Sequence, residues 1–473
     1  MPRIAILSMS DGRDFVQRDT NEFVAAAELQ LTRRLEAAGH EVLAGGMPIT
    51  NTDLATSEAR RLNAWGADLT VFNYAVWAFP HFSVLSAAAT IGPLMLFSNI
   101  DPQFPGMVGM LAAGGSLDRL GRTHSRAWGD SNDDGVLQQI HVQARAAMAV
   151  ARLRGNIFGR IGGRSMGMYT AVADVGDWMT MFGIDVEEID QWEIVRRSEL
   201  VEPARASAGR EWLERHANVH YDGDRLTPEL LERQVRSYHA MRDIIDEWRL
   251  DFCGIKGQPE LTNHFATMDI AEAFLNDPYD WEGPKQPFVT ATEVDMDGAL
   301  TMQILHRLSG TPALFADVRH YHADIDVWDL CNSGQHATWF AARSDDPAEN
   351  LKSVHLYPEV FYFPAGGASV HHLAAAGDMT FARLSRLAGR YRMQITRGSF
   401  ETYDTETNEK MMRASTYEWP HAFARIGATP SAFLSRFGAN HIHAVPGDVT
   451  AELRAVCRIL DITVDDLDRD DGG

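Results

Sequence analysis

Strand-like and helix-like patterns alternate in the first part of the chain. The strand-like runs cover residues 4–8, 41–43, 69–74 and 94–97, and the helical patterns between them cover 21–38, 57–65 and 82–89. Alternation of this kind predicts a parallel sheet with helices on both faces, because each crossover helix returns the chain to the same edge of the sheet. We therefore predict a doubly wound, Rossmann- or flavodoxin-like α/β domain over residues 1–154.

A chain of 473 residues is too long for one hydrophobic core. A second strand-and-helix pattern predicts a central doubly wound α/β domain over 155–320, beginning with a strand and the Gly-rich turn 162–167. From about residue 330 the pattern changes to short strands, turn residues and aromatics, which predicts a mostly β domain over 321–473. The predicted fold class is α/β with a mostly β C-terminal domain.

The net charge limits the classes of binding partner, and the cysteines limit the kinds of cross-link and metal site. A net charge of -22 argues against nucleic acid and anionic membranes, since both require a basic face. The three cysteines, Cys253, Cys331 and Cys457, are widely spaced, and this indicates neither a disulfide framework nor a zinc ribbon. We see no signal peptide and no membrane-spanning run, and we expect a cytoplasmic protein.

Two carboxylates stand out in the stretch 287–322. Glu293 and Asp317 each follow a short apolar run, and a helical pattern separates them by 24 residues (317 minus 293). Acids at strand ends are expected to meet at one rim of a sheet, where they hold a divalent cation or act as an acid and base. Each acid alone is equally well explained as a helix-dipole or cap residue.

Histidines supply a third candidate ligand type, and the chain has 18 of them. Spacing cannot rank the local groups, and for each of them an ordinary hydrogen-bonded histidine is the simpler interpretation. A metal hydrolase built around His320 and His322 is one open alternative. The groups are His320 with His322, His371 with His372, and His441 with His443.

A set of motifs goes further than spacing. The block PFVTATEVDMDGALTMQILHRLSGTPALFADVRHYH at 287–322 resembles L-fucose isomerases of the L-fucose and L-arabinose isomerase superfamily. Similar pieces occur in the same order along nearly the whole chain: DGR at 11–13, GGRSMG at 162–167, GIKGQ at 254–258, DWEG at 280–283, CNSG at 331–334 and FGANH at 437–441.

The resemblance implies a site and an assembly. It implies a manganese ion, or another divalent cation, held by Glu293, Asp317 and His441, with the two acids also acting as the acid/base pair. It further implies a homohexamer in which residues of the DGR-bearing domain reach the site of a neighbouring subunit. The implied sugar contacts are Arg13, Trp77, Met166, Gln258, Ser333 and Asn440.

The expected function is a metal-dependent aldose–ketose isomerase acting on a pentose, hexose or deoxyhexose through a cis-enediol. The chain is shorter than typical L-fucose isomerases between Asp317 and His441. This compactness is closer to L-arabinose isomerases, and it makes His336 a candidate second histidine ligand. A non-catalytic sugar-binding protein on the same scaffold and an isomerase for an acidic sugar remain open.

Overall fold

The computed structural model describes residues 1–333 and 335–468, and they form two compact units. The first unit comprises Met1–Arg152 with Ala451–Asp461, and the second comprises Leu153–Thr450 with the described residues from Ile462 on. Within the described residues, no helix combines the length and the apolar character that crossing a bilayer requires.

The first unit is a parallel five-stranded sheet with strand order β2-β1-β3-β4-β5. After its first residue, β1 is buried throughout, as expected for a strand covered on both faces. Separate apolar clusters on its two faces confirm the doubly wound prediction. Its elements are β1 Arg3–Met9, α1 Asp14–Ala37, β2 Glu41–Ala44, α2 Thr52–Trp65, β3 Leu69–Tyr74, α3 Pro80–Ala89, β4 Leu94–Ser98, α4 Gly106–Arg119, β5 Ser125–Trp128 and α5 Asp134–Ala151.

The second unit begins with a parallel four-stranded sheet of order β12-β9-β6-β7. The long helix α9 packs against α7, α8 and α11 beside it. The elements of this part are β6 Ile157–Ile161, α6 Val175–Phe182, β7 Asp185–Ile189, α7 Trp192–Ser198, α8 Pro203–His216, β8 Asn218–Val219, α9 Pro228–Trp248, β9 Phe252–Ile255, α10 Glu260–His264, α11 Asp269–Asn276, β10 Tyr279–Asp280, β11 Gly283–Pro284 and β12 Thr290–Thr292.

The rest of the second unit is rich in strands, as predicted. A seven-stranded sheet has the order β17-β20-β13-β14-β19-β18-β21, and a small sheet has the order β16-β15-β8. The elements are α12 Met296–Ser309, β13 Leu314–His322, β14 Val327–Cys331, a 3-10 helix Thr338–Ala341, α13 Pro347–Leu351, β15 His355–Pro358, β16 Ala368–His371, β17 Gly377–Leu387, β18 Arg390–Glu401, α14 Thr405–Arg413, β19 His421–Ile426, α15 Pro430–Arg436, β20 His441–Pro446, α16 Thr450–Leu460 and β21 Thr463–Asp466.

Helix α12 connects the two large sheets of the second unit. It follows β12 of the parallel sheet, precedes β13 of the seven-stranded sheet, and packs on β17 and β20. Gly310 ends it in the left-handed conformation that favours glycine, with φ 73°. The helix therefore brings the end of one sheet close to the middle of the other. The three predicted domain ranges remain predictions.

Candidate active site

Glu293 follows the last residue of β12 in an unusual backbone conformation. Its φ is 58° and that of Val294 is 52°, a region that side chains with a Cβ rarely adopt and that is especially costly for valine. Gly254 on β9 makes the turn possible, since a Cβ there would lie 2.9 Å from Val294 Cα. The turn leaves the Glu293 side chain buried, with Oε2 lacking a hydrogen-bond partner.

Asp317 lies in the interior of β13, and the expectation that the strand ends there is wrong. The strand continues to His322 because β14 pairs with one of its edges and β20 with the other. Asp317 stands opposite His441 of β20 in this register. The acids therefore come from two different sheets and not from one common rim.

Two amides hold the Asp317 carboxylate. Asn332 Nδ2 donates to Oδ2 at 3.0 Å, and Asn440 Nδ2 donates to Oδ1 at 3.2 Å. Burial raises the pKa of Asp317; the nearby His441 lowers it and Glu293 raises it further. A carboxylate with a raised pKa and neutral donors around it is suited to take up and return a proton.

His441 stands at the point where the acids converge. Its Nε2 lies 3.1 Å from Glu293 Oε2 and 3.5 Å from Asp317 Oδ1. Nε2 and Glu293 Oε2 are buried, and neither has a partner with hydrogen-bond alignment. Two ligands of one cation, each about 2.1 Å from it and at right angles, lie about 3 Å apart. The chemistry of the three side chains and the 3.1 Å spacing of His441 Nε2 and Glu293 Oε2 suit a divalent cation. In residues 1–333 and 335–468, no group of three or more His, Cys, Asp or Glu side chains is arranged so that it could hold a metal ion.

A third carboxylate, Asp295, contacts the other side of the His441 ring. Its Oδ2 is 2.6 Å from His441 Nδ1, and the Arg383 guanidinium binds both of its oxygens. Burial would raise the pKa of Asp295, but Arg383 and His441 outweigh burial and hold it far below its usual range. The negative surroundings affect His441 in the opposite direction: burial lowers its pKa, but contacts with Asp295 and Glu293 raise it to about 10.

The sequence prediction missed Asp295, Arg383 and Asn332. Asp295 lies at the start of the helical pattern between Glu293 and Asp317, and it caps α12 by accepting from Gly298 N at 2.9 Å. Its second role depends on residues 88 and 146 positions away. A usable signal for Arg383 was its charge inside the largely apolar run 379–384.

The remaining predicted contacts in the second unit are connected to these acids in part. Asn440 bonds Asp317 and lies 3.8 Å from Met168 Sδ, two residues after the exposed Met166. The turn with Gln258 meets the same segment, since Ser165 Oγ donates to the Gln258 carbonyl at 3.5 Å. Ser333 is buried and follows Asn332 directly.

Models of L-fucose isomerase domains match the chain in three places. The first N-terminal domain matches residues 1–155, the second N-terminal domain matches 250–310, and the C-terminal domain matches 330–468. The chain belongs to the L-fucose isomerase family. Glu293 lies in the second of these ranges and His441 in the third, and Asp317 lies between the two.

Full-length relatives in this family are distant in sequence. The L-fucose isomerase of Haemophilus influenzae (strain PittEE) is 26% identical, over 76% of this chain and 73% of the relative. The L-fucose isomerase of Escherichia coli O9:H4 (strain HS) is 22% identical, over 98% of this chain and 92% of the relative. Family membership makes the chain an enzyme of the isomerase class.

Arg13 and Trp77 lie in the first family domain, in the first unit. Arg13 Nη2 is 2.6 Å from Oδ2 of the buried Asp11, which holds the guanidinium at the tip that follows β1. The half-buried Trp77 follows β3 and contacts Phe79 edge-on, with ring centroids 6.5 Å apart. Arg13 and Trp77 thus follow neighbouring strands of one sheet.

The other candidate histidines of the second unit have different surroundings. His336 is fully buried and packs against His372 with ring centroids 5.9 Å apart, and neither of its ring nitrogens has a hydrogen-bond partner among residues 1–333 and 335–468. The rings of His320 and His322 contact each other on β13, with centroids 4.7 Å apart. Of the three histidine groups, only the last contributes a ring to the site of Glu293 and Asp317, through His441.

Proposed function

We propose that this chain is a divalent-metal-dependent aldose–ketose isomerase, with manganese as the expected metal. The observation that carries the proposal is the meeting of Glu293, Asp317 and His441, in which His441 Nε2 lies 3.1 Å from Glu293 Oε2 and 3.5 Å from Asp317 Oδ1. These three residues would hold the cation. When bound, it would polarise the carbonyl of an open-chain sugar and stabilise charge that develops on O1 and O2.

The two carboxylates carry the proton transfers in this proposal. One of them removes the proton from C2 of the aldose while O1 gains a proton, which gives a cis-enediol. Loss of the O2 proton and return of a proton to C1 then give the ketose. Glu293 is held by its strained turn, and Asp317 is held by Asn332 and Asn440. Both are therefore positioned before the sugar arrives.

The substrate is proposed to be a neutral pentose, hexose or deoxyhexose. Met166, Gln258, Ser333 and Asn440 offer a thioether and uncharged polar groups. Groups of this kind match hydroxyl groups and a methyl group. His336 is retained as a candidate further ligand, because both of its ring nitrogens are buried without partners.

The test of the reaction is a screen of aldoses and ketoses with Mn²⁺, read by chromatography. Glu293→Gln should abolish turnover of any sugar that the unmodified enzyme converts. The matched control is Glu272→Gln. Burial raises the pKa of Glu272 to about 8, with a hydrogen bond to Thr292 that lowers it and the nearby Glu293 that raises it, so Glu272→Gln changes a buried carboxyl beside the site that favours its neutral form. Turnover retained by Glu293→Gln would remove this residue from the chemistry.

We also propose a cytoplasmic homohexamer in which Arg13 and Trp77 serve the site of a neighbouring subunit. The cytoplasm is supported by the three cysteines, which are all free and buried. Mixing inactive Arg13→Ala with inactive Glu293→Gln and reassembling the oligomers should restore part of the activity, because some sites then receive both intact residues. A fully active monomer would exclude the shared site.

A further inference from the structure

Asp295 is a buried carboxylate that joins three parts of the second unit. Its side chain is 0% exposed. Oδ2 accepts from Arg383 Nη1 and lies 2.6 Å from His441 Nδ1, while Oδ1 accepts from Arg383 Nη2 and from Gly298 N. With both oxygens bound to a guanidinium, the carboxylate is ionised and can only accept. His441 Nδ1 must therefore carry a proton and donate it to Asp295.

Arg383 holds this carboxylate in one orientation. Its side chain is 1% exposed, and it also bonds the Thr170 carbonyl at 3.2 Å and contacts His443 Nε2 at 3.1 Å. Gly298 leaves the space that the ion pair needs, because a Cβ there would lie 2.8 Å from both Arg383 Nη1 and Asp295 Cγ. The fork of the guanidinium and the fixed helix start together leave Asp295 little freedom.

The proton on His441 Nδ1 determines the state of the other ring nitrogen, Nε2. When His441 gives up its Nε2 proton to bind a cation, the ring that still donates from Nδ1 to Asp295 has its lone pair on Nε2, the atom that faces Glu293 and Asp317. We propose that Asp295, locked by Arg383, is a positioning residue that fixes the tautomer and ring orientation of His441 and thereby sets the affinity of the site for its cation. This inference rests on the proposed metal-dependent function. Carboxylates in this position behind a ligating histidine raise metal affinity in proteins generally.

Asp297, in the first turn of α12, provides a matched control for Asp295. Asp297 is also buried, and it is bound by Arg386 of the same strand as Arg383, with Nε 2.8 Å from Oδ2. Its other partner is the Tyr391 hydroxyl at 3.1 Å. In the described part of the chain, none of its hydrogen bonds goes to Glu293, Asp317 or His441. Removing its charge breaks an ion pair of the same helix start and leaves the hydrogen bonds that Asp295 makes with Arg383 and His441 in place.

The experiment measures Mn²⁺ binding to the metal-free protein by electron paramagnetic resonance of the unbound ion. Asp295→Asn should weaken Mn²⁺ binding by about 10- to 100-fold, and Asp297→Asn should change it by less than about 3-fold. Thermal melting shows whether each variant is folded. Unchanged affinity in Asp295→Asn, or equal losses in both variants, would overturn the inference.

Two further measurements separate a positioning role from a structural one. Raising the Mn²⁺ concentration should restore turnover in Asp295→Asn but not in Glu293→Gln, and failure to restore it would also count against the inference. If Asp295→Asn does not fold, Arg383→Lys replaces it with the same expected loss of affinity. Failure of the proposed function looks different: the unmodified chain converts no sugar, while the affinity difference between the Asp295 and Asp297 variants stands.

Discussion

Two sets of buried histidines in the second unit have opposite surroundings. His441 has a carboxylate on each side of its ring, and the contacts with Asp295 and Glu293 raise its pKa to about 10 despite burial. His372 has only a backbone carbonyl at Nδ1 and no partner at Nε2, and burial lowers its pKa to about 4. His336 has no hydrogen-bond partner at either nitrogen, and burial followed by the nearby His372 lowers its pKa strongly.

The comparison shows that burial alone does not decide the charge environment of a histidine. The three rings are almost equally inaccessible to water, with exposures between 0% and 1%. The difference is the carboxylates, which the turn after β12 and the start of α12 place around His441 and not around His336 or His372. A cation is favoured where negative charge is already concentrated, and a neutral ring is favoured where it is not.

The largest effect is expected from exchanging the two kinds of ring for alanine. His441→Ala should weaken Mn²⁺ binding by at least about 100-fold, because it removes one of the three proposed ligands. His372→Ala removes a ring of the same size and burial, and it should leave Mn²⁺ affinity within about 3-fold. Both are measured by titration of the metal-free protein. Similar losses in the two variants would erase the contrast between the histidines.

The contrast also shows which features of the fold and the site could be predicted from the sequence. The alternation of patterns was enough to predict the doubly wound first sheet, because each crossover is a local event along the chain. Glu293 was correctly expected directly after a strand. The continuation of β13 beyond Asp317 could not be predicted, because it depends on pairing with β14 and β20, which the sequence around Asp317 does not reveal.

The ranking of histidines failed for the same reason. His320 with His322 and His441 with His443 have the same spacing of two residues, and only the resemblance of FGANH to a known family favoured His441. What distinguishes it physically is Asp295, which is 146 residues away and itself depends on Arg383. Interactions over such distances leave no periodic signal, so composition and spacing could not identify this cluster.

A second prediction uses the low pKa of His372. Between about pH 6.5, where an unfolded histidine titrates, and about pH 4, the unfolded chain binds a proton that the folded chain does not. The free energy of unfolding therefore falls as the pH falls through this window, by about 2 kcal/mol from this group between pH 7 and pH 5. His372→Gln should remove that share, so its loss between the two pH values should be about 2 kcal/mol smaller in urea denaturation.

The control for this prediction is His320→Gln, which replaces an exposed ring of the same unit. Groups far from His372 contribute equally to the unmodified chain and to each variant, so the difference reports His372 together with the neighbouring His336 and His371, whose pKa values it lowers. Equal losses in the unmodified chain and in His372→Gln would show that this ring is protonated in the folded protein. It would then resemble His441, and the comparison would fail.

The smallest expected effect comes from moving Asp295 without changing any charged group. Gly298→Ala places a methyl group 2.8 Å from both Arg383 Nη1 and Asp295 Cγ, and these two groups are locked together and cannot separate freely. We expect a loss of stability of about 1 kcal/mol from overpacking, and weaker Mn²⁺ binding because the His441 ring loses its fixed orientation. Gly115→Ala is the matched control, since Gly115 also lies inside a helix and a Cβ there meets nothing within 4 Å. Gly115→Ala should raise the free energy of unfolding by about 0.5–1 kcal/mol through helix propensity and leave the Mn²⁺ affinity unchanged. Urea denaturation and metal titration of the two variants measure both quantities. If Gly298→Ala is destabilised but binds Mn²⁺ like the unmodified chain, His441 does not need a fixed Asp295, and the surroundings of the ring matter only for charge and not for orientation.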